Sequence, residues 1–487
     1  MKAFILEEPE LEFGGGQRHV DIRFGIMHHG PVDEGEPHSP RQVNLGLVGT
    51  SESTEGLVGW LEKCRGGIAA PESKQPNLRP RFPGCTPETG LRTVLVTSTA
   101  ATSTIPKSVF ARMANLSSEK ERVEAVVEVL YGELERLVEN TPTIDVVVFA
   151  VPDELLNVVE KQQATEPTDE PEDDGVSETK RLKFDYHDLL KARAMHLRKP
   201  IQIIRPTTYD DSKRRMQKQR TNRPQTLQDE ATRAWNLHTA LYYKAGGTPW
   251  RLVRESSALD TCYVGISFYK SLDETTLRTS VAQVFNERGE GVIVRGGLAQ
   301  LSKEDRQPHL SEDDAKSLLV SALARYRGEH KNLPARVVLH KSSPFDKLEL
   351  KGFSSALIES NIYEADLLSI GRSYTRLSRD NVYPPLRGTV LSLSDNEHVL
   401  YTKGSVDFFE TWPGKYLPAP RLLRLYDVEQ TPRFLAHEIL ALSKMNWNNT
   451  QFDGAEPITL RAARQVSRVL RYCDDEKPIE SRYSFYM

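Results

Sequence analysis

Long apolar runs are absent from this sequence of 487 residues. A helix that crosses a bilayer needs about 20 consecutive, mainly apolar residues, and no stretch of the chain offers them. The first residues, MKAFILEEPELEF, carry acidic side chains where a secretory signal has a basic start and an apolar core. We therefore expect a cytoplasmic protein without a membrane partner.

Cysteine is also scarce. The chain has four, and they stand far apart, at Cys64, Cys85, Cys262 and Cys473. Because no two of them form a CxxC pair, neither a zinc site nor a disulfide framework is indicated. We expect buried free thiols.

The chain lacks an excess of positive charge, since its formal net charge is −4. This value does not exclude a nucleic-acid partner, because phosphate contacts need only one basic face or channel. Hydrophobic residues make up 38% and charged residues 27%, which is typical of a globular protein. The length predicts two or three domains.

Three apolar segments in the first half predict buried strands of a parallel sheet. They lie at 44–50, 92–99 and 144–152. NLGLVGT at 44–50 should end in a glycine turn, and residues 56–64 and 117–139 have the periodicity of helices. Strands and helices that alternate at this spacing indicate an α/β domain. The acidic, proline-containing segment 161–180 predicts a flexible surface loop.

From residue 262 onwards, strands and helices alternate again. CYVGISFYK, VIVRGG and ARVVLHKSS predict strands, and helices are predicted at 311–327, 431–445 and 460–471. This pattern indicates a second α/β domain, of the RNase H type.

Four residues with the right chemistry for a terminal nucleotide follow one another along the chain. His187 and Lys191 are four apart in a predicted helix, which places them on one face. Gln202 stands in the next short strand, and Lys244 in the last turn of the following helix. A ring can stack on a base, two ammoniums can neutralise phosphate, and an amide can direct a hydrogen bond. Alone, His and Lys one turn apart are usually a solvated helix face.

The order of these residues resembles the MID domain of Argonaute proteins. His-x-x-x-Lys is followed by Gln in an apolar strand eleven residues later, and then by Lys before Ala-Gly-Gly-Thr-Pro-Trp. The family's motif for the guide phosphate carries over to His187, Lys191, Gln202 and Lys244. Histidine stands at the first position, where tyrosine is commoner in the family.

The remaining sequence resembles the PIWI domain, so the resemblance implies a Rossmann-like MID domain and an RNase H-like PIWI domain. The implied boundaries are 1–40 for an extended N-terminal segment that packs on PIWI, 41–250 for MID and 251–487 for PIWI. No room is left for N-terminal and PAZ domains, which implies a short prokaryotic Argonaute.

A metal site is also implied by the resemblance. In related short proteins, the C-terminal carboxylate reaches the MID pocket and helps to hold a divalent cation on the guide phosphate. Here that carboxylate belongs to Met487, and Gln202 offers a second oxygen. Magnesium suits such oxygen ligands. The alternative is an ordinary docked tail, since SRYSFYM is aromatic enough to pack.

The carboxylates of an RNase H-type nuclease are missing from the matching positions. Cleavage needs clustered carboxylates that hold two metal ions. The first two positions read Ser267 and Ser342, and the third falls around Asn446. Serine brings no charge to bind a metal, and the nearby Asp260 and Asp346 lie off the strands. The resemblance therefore implies a protein that is not an enzyme and does not cut its target.

Two further segments, 402–420 and 457–464, resemble parts of the channel between guide and target. Arg461 and Arg464 of the second segment, and Lys341 outside both segments, are expected to contact backbone phosphates. The alternative for each is an ordinary surface charge.

The function implied by the resemblance is guide-directed recognition. A 5′-phosphorylated guide, RNA in this group, would recognise complementary single-stranded DNA of plasmids or phages. A partner with an APAZ domain would form a heterodimer and supply the effector for antiviral and plasmid defence. The opening sequence favours a sirtuin-like NADase, which would deplete NAD and cause abortive infection; TIR and nuclease effectors are alternatives.

Two other interpretations stay open. The chain could be a nuclease that uses displaced carboxylates, or a plain α/β enzyme or scaffold in which the likeness is misleading.

Overall fold

The computed structural model describes residues 2–159, 184–212, 228–254, 258–285, 291–379, 384–412, 417–451, 454–474 and 478–487, without the side chains of 280–285. The predicted flexible loop at 161–180 lies outside the described residues.

The described strands are β1 (Lys2–Ile5), β2 (Leu11–Glu12), β3 (Arg18–His19), β4 (Gln42–Gly49), β5 (Val94–Thr104), β6 (Val146–Ala150), β7 (Ile201–Ile204), β8 (Arg251–Leu252), β9 (Thr261–Lys270), β10 (Leu277–Phe285), β11 (Gly291–Val294), β12 (Gln300–Leu301), β13 (Pro308–His309), β14 (Arg336–Lys341), β15 (Glu364–Arg372), β16 (Thr389–Ser392), β17 (Glu397–Leu400) and β18 (Arg421–Val428). The described α-helices are α1 (Ile22–His29), α2 (Ser51–Arg65), α3 (Lys107–Met113), α4 (Glu119–Asn140), α5 (Asp153–Val159), α6 (Tyr186–Ala194), α7 (Pro206–Tyr209), α8 (Glu230–Lys244), α9 (Glu312–His330), α10 (Lys347–Glu359), α11 (Pro432–Leu442) and α12 (Ile458–Leu470).

The first domain is built on a parallel sheet in the order β5-β4-β6-β7. All five residues of β6 are buried, which is typical of a parallel strand covered on both faces. Val146 and Val148 point into one core, and Val147 and Phe149 into another. The predicted parallel sheet is confirmed. The predicted glycine turn is wrong, because β4 runs straight into α2 through its capping residue Thr50.

The second domain is built on a nine-stranded sheet in the order β1-β16-β17-β18-β15-β14-β9-β10-β11. β14 is parallel to both β9 and β15, and the other neighbours are antiparallel. Helices α9 and α10 cover one face, and α11 and α12 cover the other. The sheet and the helices on its two faces confirm the second α/β domain that the sequence predicts.

The segment before residue 40 is extended only in part. β1 pairs with β16 at the edge of the nine-stranded sheet, whereas α1 is a helix that begins behind Asp21. The segment is also held by charge: the Glu8 carboxylate accepts hydrogen bonds from Arg387 at 2.9 Å and Lys444 at 3.1 Å, and both cations are fully buried. Removing Glu8 would leave two buried charges without their counter-ion.

A single apolar core joins the two domains. Leu45, Trp60 and Trp235 of the first domain belong to the same buried cluster as Val338 and Leu460 of the second. All four cysteines are free, and three of them are buried. None of the described helices is long and apolar enough to cross a membrane.

Helix α12 lies directly against β9 because Gly265 has no side chain. A Cβ atom at Gly265 would stand 2.2 Å from the carbonyl oxygen of Thr459. The Thr459 hydroxyl also shares a hydrogen bond of 2.9 Å with the buried His340 ring. From this point α12 runs towards α6 of the first domain and contacts it. The close approach therefore sets how the second domain meets the first.

We expect Gly265→Ala to lower the free energy of unfolding by about 1–3 kcal/mol, since the added methyl group overpacks a fixed backbone contact. Denaturant unfolding measures the change. Gly132→Ala is the matched control, because nothing lies within 4 Å of a Cβ at this position in α4. That change should stabilise the helix by about 0.5–1 kcal/mol. A Gly265→Ala protein as stable as the original chain would contradict the close packing of α12.

Candidate functional site

The first wall of the site is helix α6. The Asp185 side chain caps this helix by accepting the backbone N–H of His187 at 2.8 Å. One turn later, Lys191 projects from the same face and is buried. The predicted pair therefore shares one face of a helix, but this face is packed against the second domain and is not the solvated surface that the alternative required.

Lysines from two helices meet on the main chain of residues 484–487. The Lys191 ammonium donates to the Tyr486 oxygen at 3.3 Å and also to the Met487 oxygen. The Lys244 ammonium, at the end of α8, donates to Ser484 at 3.0 Å and to Met487 at 2.9 Å. The aromatic segment is thus docked between the domains, and both lysines hold it.

Gln202 brings an unused acceptor to the same place. It lies in β7, and its Nε2 atom makes only a long contact of 3.4 Å to the Ile203 carbonyl. Its Oε1 atom is buried and has no hydrogen-bond partner among the described residues. Because buried polar atoms are normally paired, this oxygen marks a position where a ligand donor or a cation fits.

These side chains enclose a cavity of about 100 Å³. The structure brings His187, Lys191 and Gln202 together with Met487 in the wall of this cavity. Lys244 does not line the cavity, but its ammonium donates to the Met487 oxygen. Sequence analysis missed five residues that also line the cavity: Asp188, Asn448, Gln465, Arg468 and Tyr486. A signal for Arg468 was available, since it stands four and seven residues after the predicted Arg464 and Arg461 on one helix face.

Burial lowers the pKa of both lysines, so that each loses its proton at a lower pH than a free lysine. It lowers the pKa of Lys191 to about 8. It lowers the pKa of Lys244 well below the usual range, and the positive charge of Lys191 adds to the effect. Among the described residues, no side-chain carboxylate hydrogen-bonds either ammonium; their acceptors are the main-chain oxygens of residues 484–487. The main-chain oxygens compensate the positive charge of the two ammoniums only in part. The pocket therefore favours an anion.

Asp188 organises the mouth of the cavity. Its carboxylate is bonded to the His187 ring at 3.1 Å and to the Arg468 guanidinium at 3.1 Å. Burial raises the pKa of Asp188, but the His187 hydrogen bond and the Arg468 charge outweigh it and lower the pKa overall. Burial and the charge of Lys191 lower the pKa of His187, which keeps its ring neutral near pH 7. The His187 side chain is 37% exposed and lines the cavity.

The two serines predicted at nuclease positions lie side by side. Ser267 is buried in β9, and the backbone N–H of Ser342 donates to the neighbouring Ile266 carbonyl at 3.0 Å. The ladder therefore continues past Lys341, so that Ser342 follows the strand register beside Ser267. Asn446 is not joined to them by any described contact. Its segment packs on α8 instead, where Thr450 donates to Asn236 at 2.9 Å.

The prediction that Lys341 contacts backbone phosphate is corrected by the structure. Its side chain is completely buried, and its ammonium donates to the Glu349 carboxylate at 2.8 Å and to the Pro344 carbonyl at 2.7 Å. Phe268 and Phe345 lie on either side of the ammonium. A phosphate cannot reach a charge that is paired inside the core.

Arg461 and Arg464 lie on the partly exposed face of α12, together with Gln465 and Arg468. Arg464 forms an ion pair of 2.8 Å with the buried Glu456. The predicted phosphate contacts of Arg461 and Arg464 stay predictions.

One group of side chains has the ligand types of a metal site: His309, Asp346 and Glu349. Glu349 is buried and already accepts hydrogen bonds from Lys341 at 2.8 Å and from the Leu310 N–H at 2.9 Å. A lysine ammonium in contact with the central carboxylate opposes a second cation. The group is better explained as a buried ion-pair network that fixes the start of α10 than as a displaced nuclease centre.

No protein-family model and no curated protein matches this sequence. Solved structures do match its fold. The structure of Clostridium butyricum Argonaute bound to a guide DNA and a 19-mer target DNA aligns with a TM-score of 0.66 at 13% identity, covering 99% of this chain and 54% of that protein.

Two structures of A. aeolicus Argonaute are also similar. One aligns with a TM-score of 0.55 at 14% identity, covering 97% of this chain and 53% of that protein. The other, which has an externally bound siRNA, gives a TM-score of 0.58 at 14% identity and covers 99% and 55%. This chain thus spans about half the length of each. The likeness shows the fold: the mixed α/β arrangement of the Argonaute MID and PIWI domains.

Affinity of the pocket for a 5′-nucleoside monophosphate is expected to fall as the pH rises past about 8. Above that pH the free Lys191 loses its proton, because its pKa is lowered to about 8, and binding a dianion then requires reprotonation. The phosphate stays dianionic, since its second pKa is about 6. Titration calorimetry between about pH 7 and about pH 9.5 measures the trend. The nucleoside without phosphate should show no such trend, and a constant monophosphate affinity would contradict the lowered pKa.

Proposed function

We propose that this chain binds the 5′ end of a short nucleic-acid guide and uses the guide to recognise a complementary strand. One observation carries the proposal: the ammoniums of Lys191 and Lys244 converge on Met487, which lines a small cavity at the domain junction. Main-chain oxygens hold both groups and no described side-chain carboxylate pairs with either, so a phosphate can accept hydrogen bonds from both. The Argonaute-like fold supports a guide as the source of this phosphate.

The terminal nucleotide would be bound by three kinds of contact. Its phosphate enters the cavity and accepts hydrogen bonds from Lys191 and Lys244. Its base stacks on the exposed face of His187, whose ring Asp188 orients. The rest of the guide leaves across Arg468 and the exposed face of α12, where arginines meet the backbone phosphates.

Magnesium fits this pocket as a companion of the phosphate. Mg²⁺ binds through one or two protein oxygens and keeps water and phosphate as its other ligands. Gln202 offers an Oε1 atom without a described partner, and Met487 offers its main-chain oxygen in the same cavity wall. When bound, the ion would offset the negative charge of the phosphate and fix its orientation.

The second domain would serve to bind and not to cut. Ser267 within β9 and Ser342 directly after β14 occupy neighbouring positions, and two-metal hydrolysis would need carboxylates there. The carboxylates of Asp346 and Glu349 are engaged with Lys341 and with backbone N–H groups. The chain itself would therefore have no nuclease activity.

A binding protein without an activity needs a partner to produce an output. We propose that the guide is RNA, the target is single-stranded DNA of plasmids or phages, and the partner is an APAZ-domain effector. The heterodimer would act in bacterial defence, with a sirtuin-like NADase as the favoured effector and TIR or nuclease effectors as alternatives. The resemblance of the sequence to short Argonautes supports this part.

Lys191→Ala and Lys244→Ala are each expected to weaken binding of a 5′-phosphorylated guide by about tenfold to a hundredfold, because a hydrogen bond to a charged group contributes about 1.5–3 kcal/mol. Affinity for the 5′-hydroxyl guide should change little. Filter binding with both guides measures the difference. Removing magnesium with a chelator should lower the affinity for the phosphorylated guide and leave the affinity for the hydroxyl guide unchanged.

Lys351→Ala is the matched control for these variants. It removes the same charge from an exposed position on α10, where Lys351 pairs with Glu312 at 2.9 Å. It should leave both affinities unchanged. Equal affinity of the original chain for phosphorylated and hydroxyl guides would overturn the proposed pocket.

The chain with a phosphorylated guide, a matched target and manganese is expected to yield no cleaved product, since serine cannot hold a catalytic metal. With the APAZ partner added, NAD should be consumed only when guide and target match. Gel analysis and an NAD assay measure the two outputs. A target cut within the guided duplex would refute the non-cleaving role, and NAD loss without a matched target would refute the coupling.

A further inference from the structure

A second and larger cavity lies on the other side of Lys244, between the two domains. Its volume is about 300 Å³, which is within the range of sites for small molecules. The first domain contributes the segment around Arg198 and the turn after α8, and the second domain contributes Trp447 and Arg482. The proposed guide function uses none of these three side chains.

Trp447, which lines this cavity, carries a buried donor without an acceptor. The residue is 3% exposed, and its indole N–H has no hydrogen-bond partner in the described part of the chain. Its ring meets Tyr243, another lining residue, edge-on with centroids 4.7 Å apart. By contrast, the neighbouring Trp250 donates its indole N–H to the Lys444 carbonyl at 3.1 Å. An acceptor atom of a ligand in the cavity would give the Trp447 indole N–H the hydrogen-bond partner that it lacks among the described residues.

Positive charge predominates around the cavity. Arg198, Lys199, Lys244 and Arg482 line it, against the single acid Asp145. The Asp145 carboxylate is already engaged by the backbone and side-chain amides of Asn44, at 2.8 Å and 3.0 Å. Lys199 donates to the Pro142 carbonyl, and the Glu480 carboxylate pairs with Arg482. The arrangement leaves a net positive field for an anion.

Arg198 is held in a strained backbone conformation at the rim. Its φ of 54° lies in the left-handed region, where glycine is the usual residue after a helix end. Its guanidinium has no ion pair among the residues that the structure describes. An arginine that replaces the favoured glycine, and has no described partner for its side chain, points to a role outside folding.

We propose that this cavity binds a small phosphate-bearing anion of the nucleotide class. Arg198 and Lys199 would neutralise the phosphates at the rim, and the indole N–H of Trp447 would donate to an oxygen at the inner end. The aromatic edges of Tyr243 and Trp447 give a nucleoside an apolar wall. Lys244 separates this ligand from the 5′ pocket, because its ammonium is engaged with Ser484 and Met487.

Titration calorimetry of the whole chain with pyrophosphate, and separately with ATP, tests the proposal. The Lys191→Ala variant is used so that binding at the 5′ pocket is weakened and separates from binding at this cavity. We expect one site per chain for pyrophosphate, and tighter binding of ATP if the base contacts the aromatic wall. Equal affinity for both assigns the site to free polyphosphate. Absence of binding by both probes would overturn the proposal.

Two variants test the site without removing a folding contact. Arg198→Gly should weaken pyrophosphate binding at least tenfold while the protein unfolds no earlier, since glycine suits the left-handed backbone. Trp447→Phe keeps a ring and removes a donor that has no described partner, and should also weaken binding. Thermal unfolding checks both proteins. Pyrophosphate affinity unchanged in both variants would place the ligand elsewhere and overturn the assignment.

The guide itself is the competing occupant. A 5′-hydroxyl guide, bound at saturation, should leave pyrophosphate binding within about twofold of its value without guide if the cavity is separate. Loss of pyrophosphate binding under this condition would make the cavity part of the nucleic-acid path and overturn a separate ligand. This result is independent of whether the 5′ pocket prefers phosphorylated guides.

Discussion

The site depends on how two buried lysines hold the segment 484–487 between the domains. Lys191 comes from α6 and Lys244 from α8, and each donates to the main chain of this segment, with the Met487 oxygen shared. Burying an ammonium costs free energy unless an acceptor compensates its charge, and the acceptors of these two ammoniums are all main-chain oxygens of one segment. The lowered pKa values record this cost. The same interaction docks the segment and leaves the pocket short of negative charge, so that packing and anion affinity have one origin.

Placement of the second wall follows from backbone packing and not from charge. Helix α12 reaches the pocket because Gly265 lets it lie on β9, and it then presents Arg468 to Asp188 across the domain junction. One apolar core continues through both domains behind this junction. Because the two domains share a core, the walls of the cavity are fixed relative to each other. The pocket is therefore assembled from α6, β7 and α12, which belong to the frameworks of the two domains, and Lys244 of α8 contacts its Met487 oxygen.

The sequence predicted the elements well where local physics decides. The all-apolar β6 and the Ser-capped α4 were predictable, because parallel strands and helix caps leave local patterns. The four pocket residues were found by their order, but their burial could not be predicted, since it comes from packing against residues more than 200 positions away. For the same reason, Asp188 and Asn448 were missed. Helix α1 was missed because glycines on both sides of it favoured extended segments joined by turns.

Lys341 and Lys191 show why burial alone does not identify a functional lysine. Both are buried ammoniums with lowered pKa values, and burial is the leading cause in each. The Lys341 ammonium donates to the Glu349 carboxylate at 2.8 Å, so that the opposite charge of this carboxylate compensates it. Lys191 and Lys244 are bonded to main-chain oxygens beside an empty volume and beside an amide oxygen without a described partner. The two lysines differ in their partners: Lys341 is paired with a side-chain carboxylate in the core, whereas Lys191 contacts main-chain oxygens at the wall of a cavity. Sequence patterns report the lysine and not its partner, which is why the burial of Lys341 against Glu349 could not be predicted, while the role of Lys191 in binding stays a prediction.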